Sequence, residues 1–465
     1  MENMTVMRAA GLCGGVLSGN AGANELLRNI VIDSREVMPG DLFAAYRGEH
    51  TDGHNYIPAA FERGAACCLA EYMPEGVCRP VIVVPNVQQA LEKLAKSYRA
   101  EFTIPMIGVT GSVGKTTAKE MLASVLSRRY STLKTEGNLN NQIGVPMMLA
   151  RLNNTVQAAV IEMGISGFGE MTALAEMVRP TAAVFTVIGH AHLEFLHDLD
   201  GVLRAKTEML ALMPDDAPIV VNGDDEKLRS LQCLQPKITF GLGLHNDFRA
   251  EALHAEGNEI SCDIVGAGRR IPVRIPAFGQ HHVYAALAAA AVGVLHGLTD
   301  DEITAGVAEF RNVGRRGELI RTPFVTMIDD SYNANPDSVK SGIDSLMQLP
   351  GKRHICILGD MLELGGGSGD MHAEVGSYAA GRGADLVLTA GRYGPDTARG
   401  AGNRGLCFDS RDALIQSLPE LLCEGDCLLV KASKGSHFEE VSSAVRRLAE
   451  EKTGGNRGDG EQQDG

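Results

Sequence analysis

Residues 106–117, Met-Ile-Gly-Val-Thr-Gly-Ser-Val-Gly-Lys-Thr-Thr, contain the residue types that bind a phosphate chain. A glycine-rich turn offers backbone N–H groups to phosphate oxygens, Lys115 supplies a positive charge, and the Thr116 hydroxyl can coordinate Mg²⁺. The pattern G-x-x-x-x-G-K-[ST] is incomplete, because Val109 occupies its first glycine position. The segment predicts a site for a nucleoside triphosphate.

The elements around this turn support that prediction. An apolar run from Ile104 to Val109 is typical of a buried strand, and the segment from Lys115 to Ser127 is compatible with a helix. A phosphate chain at such a junction faces the positive end of the helix. The alternative, a glycine-rich turn with a surface lysine, is disfavoured by the two flanking elements.

Polar residues at the ends of later strands could complete the site. Glu162 ends one apolar run, and His190 and His192 follow another. Ligands of parallel sheets bind at the carboxyl ends of the strands. Together with Thr116 these side chains could hold Mg²⁺, for which imidazole is not the preferred ligand.

Three further segments leave alternatives open. Residues 136–146 place three asparagines around a turn, where they could hold unusual backbone angles or bind a polar substrate or phosphate oxygens. Ser34 and Arg35 follow a short apolar run and could bind a phosphate. Spacing alone favours a solvated surface arginine. Lys206 lies in a predicted helix, where an ordinary helical lysine is the simplest interpretation.

Length and composition set wider limits. A chain of 465 residues exceeds one ordinary core, so about two to four domains are expected. A net charge of −15 argues against nucleic acid or an anionic membrane as the main partner. No apolar run is long enough to cross a bilayer, and no signal peptide is expected. The ten cysteines lack a zinc-type spacing and suit free thiols in a reducing cytoplasm.

The strand and helix patterns predict an α/β protein of three domains. Residues 1–100 form a mixed α/β unit, residues 101–314 a P-loop ATPase-like parallel sheet, and residues 315–453 a doubly wound, Rossmann-like sheet. A small antiparallel excursion is expected within the central unit, at residues 248–275. The polar stretch 454–465 is expected to be a disordered tail.

Several motifs together resemble the Mur ligase family, the ATP-dependent amide-forming enzymes of peptidoglycan assembly. The resemblance covers about residues 32–436, and its last two motifs are typical of the MurF type. The motifs are Asp33-Ser-Arg35, Pro39-Gly-Asp-Leu-Phe43, Asp52-Gly-His54, Thr110-Gly-Ser-Val-Gly-Lys-Thr116, Gly137-Asn-Leu-Asn-Asn-Gln-Ile-Gly-Val-Pro146, Glu162-Met-Gly164, Ala191-His-Leu-Glu194, Ala205-Lys-Thr-Glu208, Asp330-Ser-Tyr-Asn-Ala-Asn-Pro336 and Gly359-Asp-Met-Leu-Glu-Leu-Gly365.

The resemblance implies a particular ligation. ATP would activate the terminal carboxylate of UDP-N-acetylmuramoyl-tripeptide as an acyl phosphate, and the amine of D-alanyl-D-alanine would then displace phosphate. The N-terminal domain would hold the UDP-linked peptide, the central domain ATP and Mg²⁺, and the C-terminal domain would close over the nucleotide. The resemblance further implies a cytoplasmic monomer that binds neither nucleic acid nor membrane.

The resemblance also assigns roles to individual residues. Lys206 matches a lysine that carries a carbamate in this family. The catalytic set is Lys115, Lys206 and His192, and the metal ligands are Thr116, Glu162, His192 and Lys206 as its carbamate. The ATP-binding set is Thr110, Gly111, Ser112, Val113, Gly114, Lys115, Thr116, Thr117, His281, Arg315, Asp330, Tyr332 and Asn333. The substrate-binding set is Ser34, Arg35, Asn138, Asn141 and Gly164.

The chain departs from the family pattern beside the expected adenine site. His282 and Ala285 replace asparagines, and Val187 stands where an asparagine is common. Three alternatives accompany the main hypothesis. They are a related ligase that adds the third peptide residue, a folylpolyglutamate-type ligase, and a nucleotide-dependent switch without ligation.

Overall fold

Three β-sheets, each flanked by helices, organise the chain in this computed structural model, which describes residues 1–18, 22–48 and 51–454. The sheets draw their strands from residues 16–83, 106–275 and 318–431. The predicted three-domain α/β architecture is confirmed.

The N-terminal sheet has the order β1-β5-β4-β3-β2, with only the β1–β5 pair antiparallel. Its strands are β1 Val16–Ser18, β2 Ile30–Val31, β3 Leu42–Ala44, β4 Cys67–Ala70 and β5 Val81–Val83. Its helices are α1 Val6–Cys13, α2 Ile57–Glu62 and α3 Val87–Arg99.

The central sheet has the order β14-β13-β12-β11-β10-β9-β6-β8-β7. Strands from β7 to β12 pair in parallel, whereas β12, β13 and β14 pair antiparallel, as predicted. The strands are β6 Met106–Thr110, β7 Thr132–Lys134, β8 Ala158–Glu162, β9 Ala182–Phe185, β10 Ile219–Asn222, β11 Lys237–Gly241, β12 Phe248–Glu256, β13 Glu259–Gly266 and β14 Arg269–Ile275. The helices are α4 Lys115–Leu126, α5 Gly144–Leu149, α6 Glu170–Val178, α7 Leu193–Leu196, α8 Leu199–Thr207, α9 Glu226–Arg229, α10 His281–Leu295 and α11 Asp300–Ala308.

The C-terminal sheet has the order β15-β16-β20-β17-β18-β19, with only the β15–β16 pair antiparallel. Its strands are β15 Glu318–Arg321, β16 Val325–Asp330, β17 Arg353–Leu358, β18 Leu386–Ala390, β19 Gly405–Phe408 and β20 Asp426–Lys431. Its helices are α12 Pro336–Leu346, α13 Ser368–Arg382, α14 Gly394–Ala401, α15 Arg411–Leu421 and α16 Glu439–Gly454.

The strand that leads into the glycine-rich turn lies in the middle of the central sheet. β6 pairs with β8 and β9, which sets Val109 beside Glu162 and Thr110 beside Phe185. Helix α4 follows the turn and is buried along most of its length against α10 and α11. The alanines of α10 allow this close approach because they project little beyond the backbone. The register therefore places the turn and Glu162 side by side at the carboxyl ends of the strands.

Some expected boundaries differ from the structure. The apolar run from Ala182 to Ile188 predicts a strand over its whole length, but β9 ends at Phe185, and the next side chain, the Thr186 hydroxyl, donates to the Val113 carbonyl at 2.6 Å. At the C-terminus, α16 includes Gly454, so the predicted tail is wrong at its first residue, and residues 455–465 lie outside the described part.

Two expectations from composition can be compared directly. All ten cysteines are free thiols, and most are buried, as predicted. Within residues 1–18, 22–48 and 51–454, no helix combines the length and apolarity that crossing a membrane requires.

Helices α13 and α14 pack backbone against backbone. A Cβ atom at Gly376 would lie 2.0 Å from the Thr397 carbonyl oxygen, and one at Gly400 would lie 1.9 Å from the Ala373 carbonyl oxygen. Backbone atoms cannot rotate away as the end of a side chain can, so the helices would have to separate.

We expect Gly376→Ala to destabilise the C-terminal domain by about 1–3 kcal/mol, the usual effect of overpacking. The matched control is Gly381→Ala in the same helix, where no atom lies within 4 Å of the added Cβ. This control should keep or slightly raise stability, because alanine is the better helix former. Calorimetric unfolding measures both variants, and equal destabilisation by the two would contradict the prediction.

Candidate active site

The glycine-rich turn is held in shape by contacts that its sequence makes possible. Gly111 has φ +146°, and a Cβ there would lie 2.0 Å from the Thr186 hydroxyl oxygen. Gly114 has φ +82° and precedes the first residue of α4. The Lys115 ammonium donates to the Gly111 carbonyl at 2.8 Å. The backbone N–H groups of the first turn of α4 have no acceptor within the helix, so they are available to an anion.

Glu162 lies at the end of β8 and is 1% exposed. Its Oε2 accepts a hydrogen bond from the Thr116 hydroxyl at 2.9 Å, and its Oε1 accepts one from Asn140 Nδ2 at 2.8 Å. Both oxygens are thus held in fixed directions next to the turn. A buried carboxylate beside a hydroxyl is a donor set that suits Mg²⁺.

Two lysines share this region. Burial lowers the pKa of Lys115, an effect that Glu162 opposes and Arg316 reinforces. Burial also lowers the pKa of Lys206 well below its ordinary value, and the charge of Lys115 lowers it further. Lys206 is 1% exposed, and no hydrogen bond or ion pair of its ammonium occurs among the described residues. A buried, unpaired amine next to another cation favours the neutral form, which is the nucleophilic one.

The C-terminal sheet presents its own polar residues to the turn. Asp330 and Lys431 end the adjacent strands β16 and β20, and the Lys431 ammonium lies 2.5 Å from Asp330 Oδ2. Burial raises the pKa of Asp330, while Lys431 opposes the shift. The Arg316 guanidinium lies over the Tyr332 ring, with Cζ 3.8 Å from the ring centroid. Stacking of this kind fixes a cation while leaving its N–H groups available.

Contacts between the central and C-terminal domains hold the two sets together. Asp337 accepts a hydrogen bond from the His190 backbone N–H at 2.6 Å, and its carboxylate also contacts the His190 ring. Across the same boundary, His192 Nδ1 lies 2.5 Å from Glu363 Oε2. Among the described residues this nitrogen has no partner with hydrogen-bond geometry, so the two side chains are in close contact without a well-formed hydrogen bond. It lowers the pKa of Glu363.

Two connected cavities and an apolar slot lie at this boundary. The phosphate-loop cleft is lined by residues 112–117, by His281 and by Arg316, Asp330, Tyr332, Asn333 and Lys431. The Glu162 cleft is lined by Gln88 of α3, by Lys115, Asn138, Asn140, Asn141, Glu162, Gly164 and His192, and by Arg316, Tyr332, Asn333, Glu363 and Lys434. The apolar slot is lined chiefly by Val113, Ala118, Val187, Phe240, Tyr284, Ala285 and Ala288.

Most predicted ATP-binding residues line the phosphate-loop cleft. The exceptions are Thr110, Gly111 and Arg315. Thr110 is buried and donates to the Met163 carbonyl, while Gly111 shapes the turn. Arg315 directs its guanidinium towards Asp329 and Ser443, whereas its neighbour Arg316 lines both clefts.

The predicted substrate-binding residues divide into two groups. Asn138, Asn141 and Gly164 line the Glu162 cleft. Asn141 also has a local structural role, because its Oδ1 accepts hydrogen bonds from two N–H groups at the start of α5. Ser34 and Arg35 line neither cleft, and the Arg35 side chain is 86% exposed and paired with Asp33.

The predicted metal ligands are only partly assembled. Thr116 and Glu162 are in direct contact, and His192 lines the same cleft. Lys206 does not line it, although it lies close enough to Lys115 for their charges to interact. Within the described residues no group of three or more His, Cys, Asp or Glu side chains could hold a metal ion. The donor set fits Mg²⁺ only with oxygens beyond these side chains, such as those of phosphates or a carbamate.

Sequence reasoning missed several residues of the two clefts. Arg316 was missed because a motif cannot tell which of two successive arginines turns inward between glycines at positive φ, Gly314 and Gly317. Lys431 could have been found as the last residue of a strand. Asn140 was one of three neighbouring asparagines, and spacing gave no reason to prefer it.

Comparisons with known proteins identify the family of the chain. Three family models match successive parts of the chain: "Mur ligase family, catalytic domain" at residues 27–99, "Mur ligase middle domain" at 109–293 and "Mur ligase, glutamate ligase domain" at 315–434. The chain is 34% identical to the UDP-N-acetylmuramoyl-tripeptide–D-alanyl-D-alanine ligase of Bacillus subtilis, covering 95% of this chain and 98% of that one. It is 35% identical to the enzyme of the same name from Escherichia coli, covering 97% and 100%.

Solved structures extend the comparison. A crystal structure of MurF from Acinetobacter baumannii superposes with a TM-score of 0.87 at 29% identity, covering 97% of this chain and 99% of that chain. MurF from Thermotoga maritima in complex with ADP superposes with a TM-score of 0.81 at 27% identity, covering 92% and 99%. The likeness to a folylpolyglutamate synthase, at 17% identity, concerns the fold alone. The chain belongs to the Mur ligase family.

Proposed function

We propose that this chain is an ATP-dependent ligase that joins D-alanyl-D-alanine to UDP-N-acetylmuramoyl-tripeptide. The observation that carries the proposal is the pair of connected clefts. They bring the phosphate-binding turn, the buried carboxylate of Glu162 and the cations of the C-terminal domain to one place. Residues of all three domains line them, as a reaction with a nucleotide, a large acid and an amine requires.

The main electrostatic demand is to hold a carboxylate against a triphosphate, although both are anions. Lys115 and the N-terminus of α4 bind the phosphates, and Arg316 approaches them from the opposite domain. Thr116 and Glu162 would hold Mg²⁺, which, when bound, neutralises phosphate charge. The peptide carboxylate attacks the γ-phosphorus of ATP, and ADP leaves. The dipeptide amine then attacks the acyl carbon, loses a proton and expels phosphate.

The apolar slot is the proposed site of the adenine. It adjoins the phosphate-loop cleft, with which it shares Val113 and Gly114. Val187 and Ala285, two of the positions that depart from the family pattern, line this slot. His282 does not, because it is fully buried and forms an edge contact with Phe310. Apolar contact with the base therefore replaces part of the usual amide recognition.

The remaining assignments are proposed on the family relationship. Residues 1–100 would hold the UDP-linked peptide, with Ser34 and Arg35 at the diphosphate. Residues 101–314 would bind ATP, and residues 315–453 would complete the site. The enzyme would act as a monomer in the cytoplasm, during synthesis of peptidoglycan precursors.

A ligation assay tests the proposal directly. The purified protein, with Mg²⁺ and ATP, should form one new amide from UDP-N-acetylmuramoyl-tripeptide and D-alanyl-D-alanine, measured by mass spectrometry. Lys115→Ala should lower kcat by about 100-fold or more, because it removes a charge at the transferring phosphate. The control is Lys227→Ala, a partly exposed lysine that pairs with Asp200 and lines neither cleft. Phosphate release without an amide would support a switch, and transfer of a free diamino acid would support the related ligase.

Lys206 should carry a carbamate in the active enzyme. Its buried neutral amine can attack CO₂ and release a proton, and the product anion replaces repulsion of Lys115 by attraction. Enzyme equilibrated with ¹³CO₂ should give a carbamate ¹³C signal that is absent in Lys206→Ala. That variant should lose most activity and regain part of it with added formate or acetate. Full activity of Lys206→Ala without these acids would contradict the prediction.

Lys434 should bind the carboxylate of the incoming dipeptide. It lines the Glu162 cleft from the C-terminal domain, and no salt bridge of its ammonium occurs among the described residues. Lys434→Ala should raise KM for D-alanyl-D-alanine by about tenfold, the effect of losing one charged contact. KM for ATP should stay unchanged. An equal rise of both KM values would contradict this assignment.

A further inference from the structure

Lys119 is a fully buried lysine that has no role in the proposed ligation. It lies one turn after Thr116 in α4 and is 1% exposed. A lysine is almost never buried to this extent unless it is paired, so its partners show what it does. We infer that Lys119 is a positioning residue, which fixes the Glu162 carboxylate from behind through Thr135.

The contacts of Lys119 run directly to Glu162. The ammonium donates to the Thr135 carbonyl at 2.6 Å. The hydroxyl of the same threonine accepts a hydrogen bond from the Glu162 backbone N–H at 2.9 Å. The ammonium also lies 4.0 Å from Glu162 Oε2, the oxygen that accepts from Thr116. Lys119 therefore acts on both the backbone and the carboxylate of Glu162.

Lys119 also belongs to a cluster of charged side chains. Lys119 lies 2.9 Å from Glu120 Oε1, and Lys134 binds the other oxygen of Glu120. Lys119 thus lies between two buried carboxylates, Glu120 and Glu162, and each has one further lysine nearby: the partly exposed Lys134 for Glu120 and Lys115 for Glu162. Without Lys119, the Thr135 carbonyl and Oε1 of the buried Glu120 would lose their ammonium partner, and the backbone that holds Glu162 would lose this support.

If Lys119 only stabilised α4, it would not need to bind the residue that holds the backbone of Glu162. Thr135 is fully buried directly after β7, and its backbone N–H donates to the Val160 carbonyl of β8 at 3.1 Å. Lys119 thereby ties α4 to the strand that carries Glu162. Partners behind a metal ligand usually contribute to metal affinity by orienting it. The inference rests on the proposed role of Glu162 as a Mg²⁺ ligand.

The test measures ADP binding to the full-length protein by calorimetry as Mg²⁺ is varied. Lys119→Met keeps the length of the side chain and removes its charge. We expect the half-saturating Mg²⁺ concentration to rise about tenfold or more. ADP affinity without Mg²⁺ should stay within about twofold, because Lys119 does not line the phosphate-loop cleft.

A double-mutant comparison separates positioning from general damage. In a Glu162→Gln background, Lys119→Met should change the Mg²⁺ dependence by less than about twofold, because the two residues act as one unit. If Lys119→Met does not fold, Thr135→Val and Thr135→Ser carry the test. The valine removes the acceptor of the Glu162 N–H and should raise the Mg²⁺ requirement, whereas the serine keeps the hydroxyl and should not.

Two kinds of result would contradict the inference about Lys119 or the metal site on which it rests. An unchanged or lowered Mg²⁺ requirement in both Lys119→Met and Thr135→Val would overturn the inference. A lowered value would mean that Lys119 acts only by repelling the metal. A wild-type protein whose ADP binding does not depend on Mg²⁺ would instead overturn the proposed metal site, so the two failures are distinguishable.

Discussion

The hydrogen bond between Thr116 and Glu162 is the interaction on which the rest of the site depends. It joins the first turn of α4 to the end of β8, so the phosphate-binding turn and the buried carboxylate are fixed relative to each other. The bond forms because β6 and β8 are neighbours in register, with Val109 beside Glu162. Sheet pairing thus converts two distant segments of sequence into one rigid site.

A buried carboxylate must be compensated, and this requirement explains much of the surrounding composition. Asn140 and Thr116 donate hydrogen bonds to the Glu162 carboxylate, and the Lys119 ammonium lies 4.0 Å from it. On the far side of the clefts, Asp330 and Lys431 compensate each other at the ends of adjacent strands. In both the central and the C-terminal domain, the buried carboxylate is thus compensated by partners of its own domain, and the clefts lie between these two groups.

The sequence predicts those parts of the fold that depend on local pattern. Residues close together in the sequence are enough to predict the glycine-rich turn, the helix from Lys115 and the strand ending at Glu162. The structure confirms all three. The Asn335-Pro336 pair is a similar case, because its capping of α12 is a local signal for the start of a helix.

The sequence does not predict which way a side chain points, nor which residues far apart in the chain come into contact. Arg315 and Arg316 are chemically identical, and only the turn between two glycines decides which one faces the clefts. Asn140 is distinguished from Asn138 and Asn141 only by its contact with Glu162, which lies 22 positions away. The contact of His192 with Glu363 joins two domains and has no signal in either segment.

That last contact has a consequence for the backbone around it. His192 and Glu363 both hold a left-handed backbone, with φ of 55° and 61°, although neither is glycine. Such a conformation costs about 1–2 kcal/mol for each residue. Both residues lie where the central and C-terminal domains touch, so this strained pair persists only because neighbouring contacts, such as that of Asp337 with His190, hold the two loops in place.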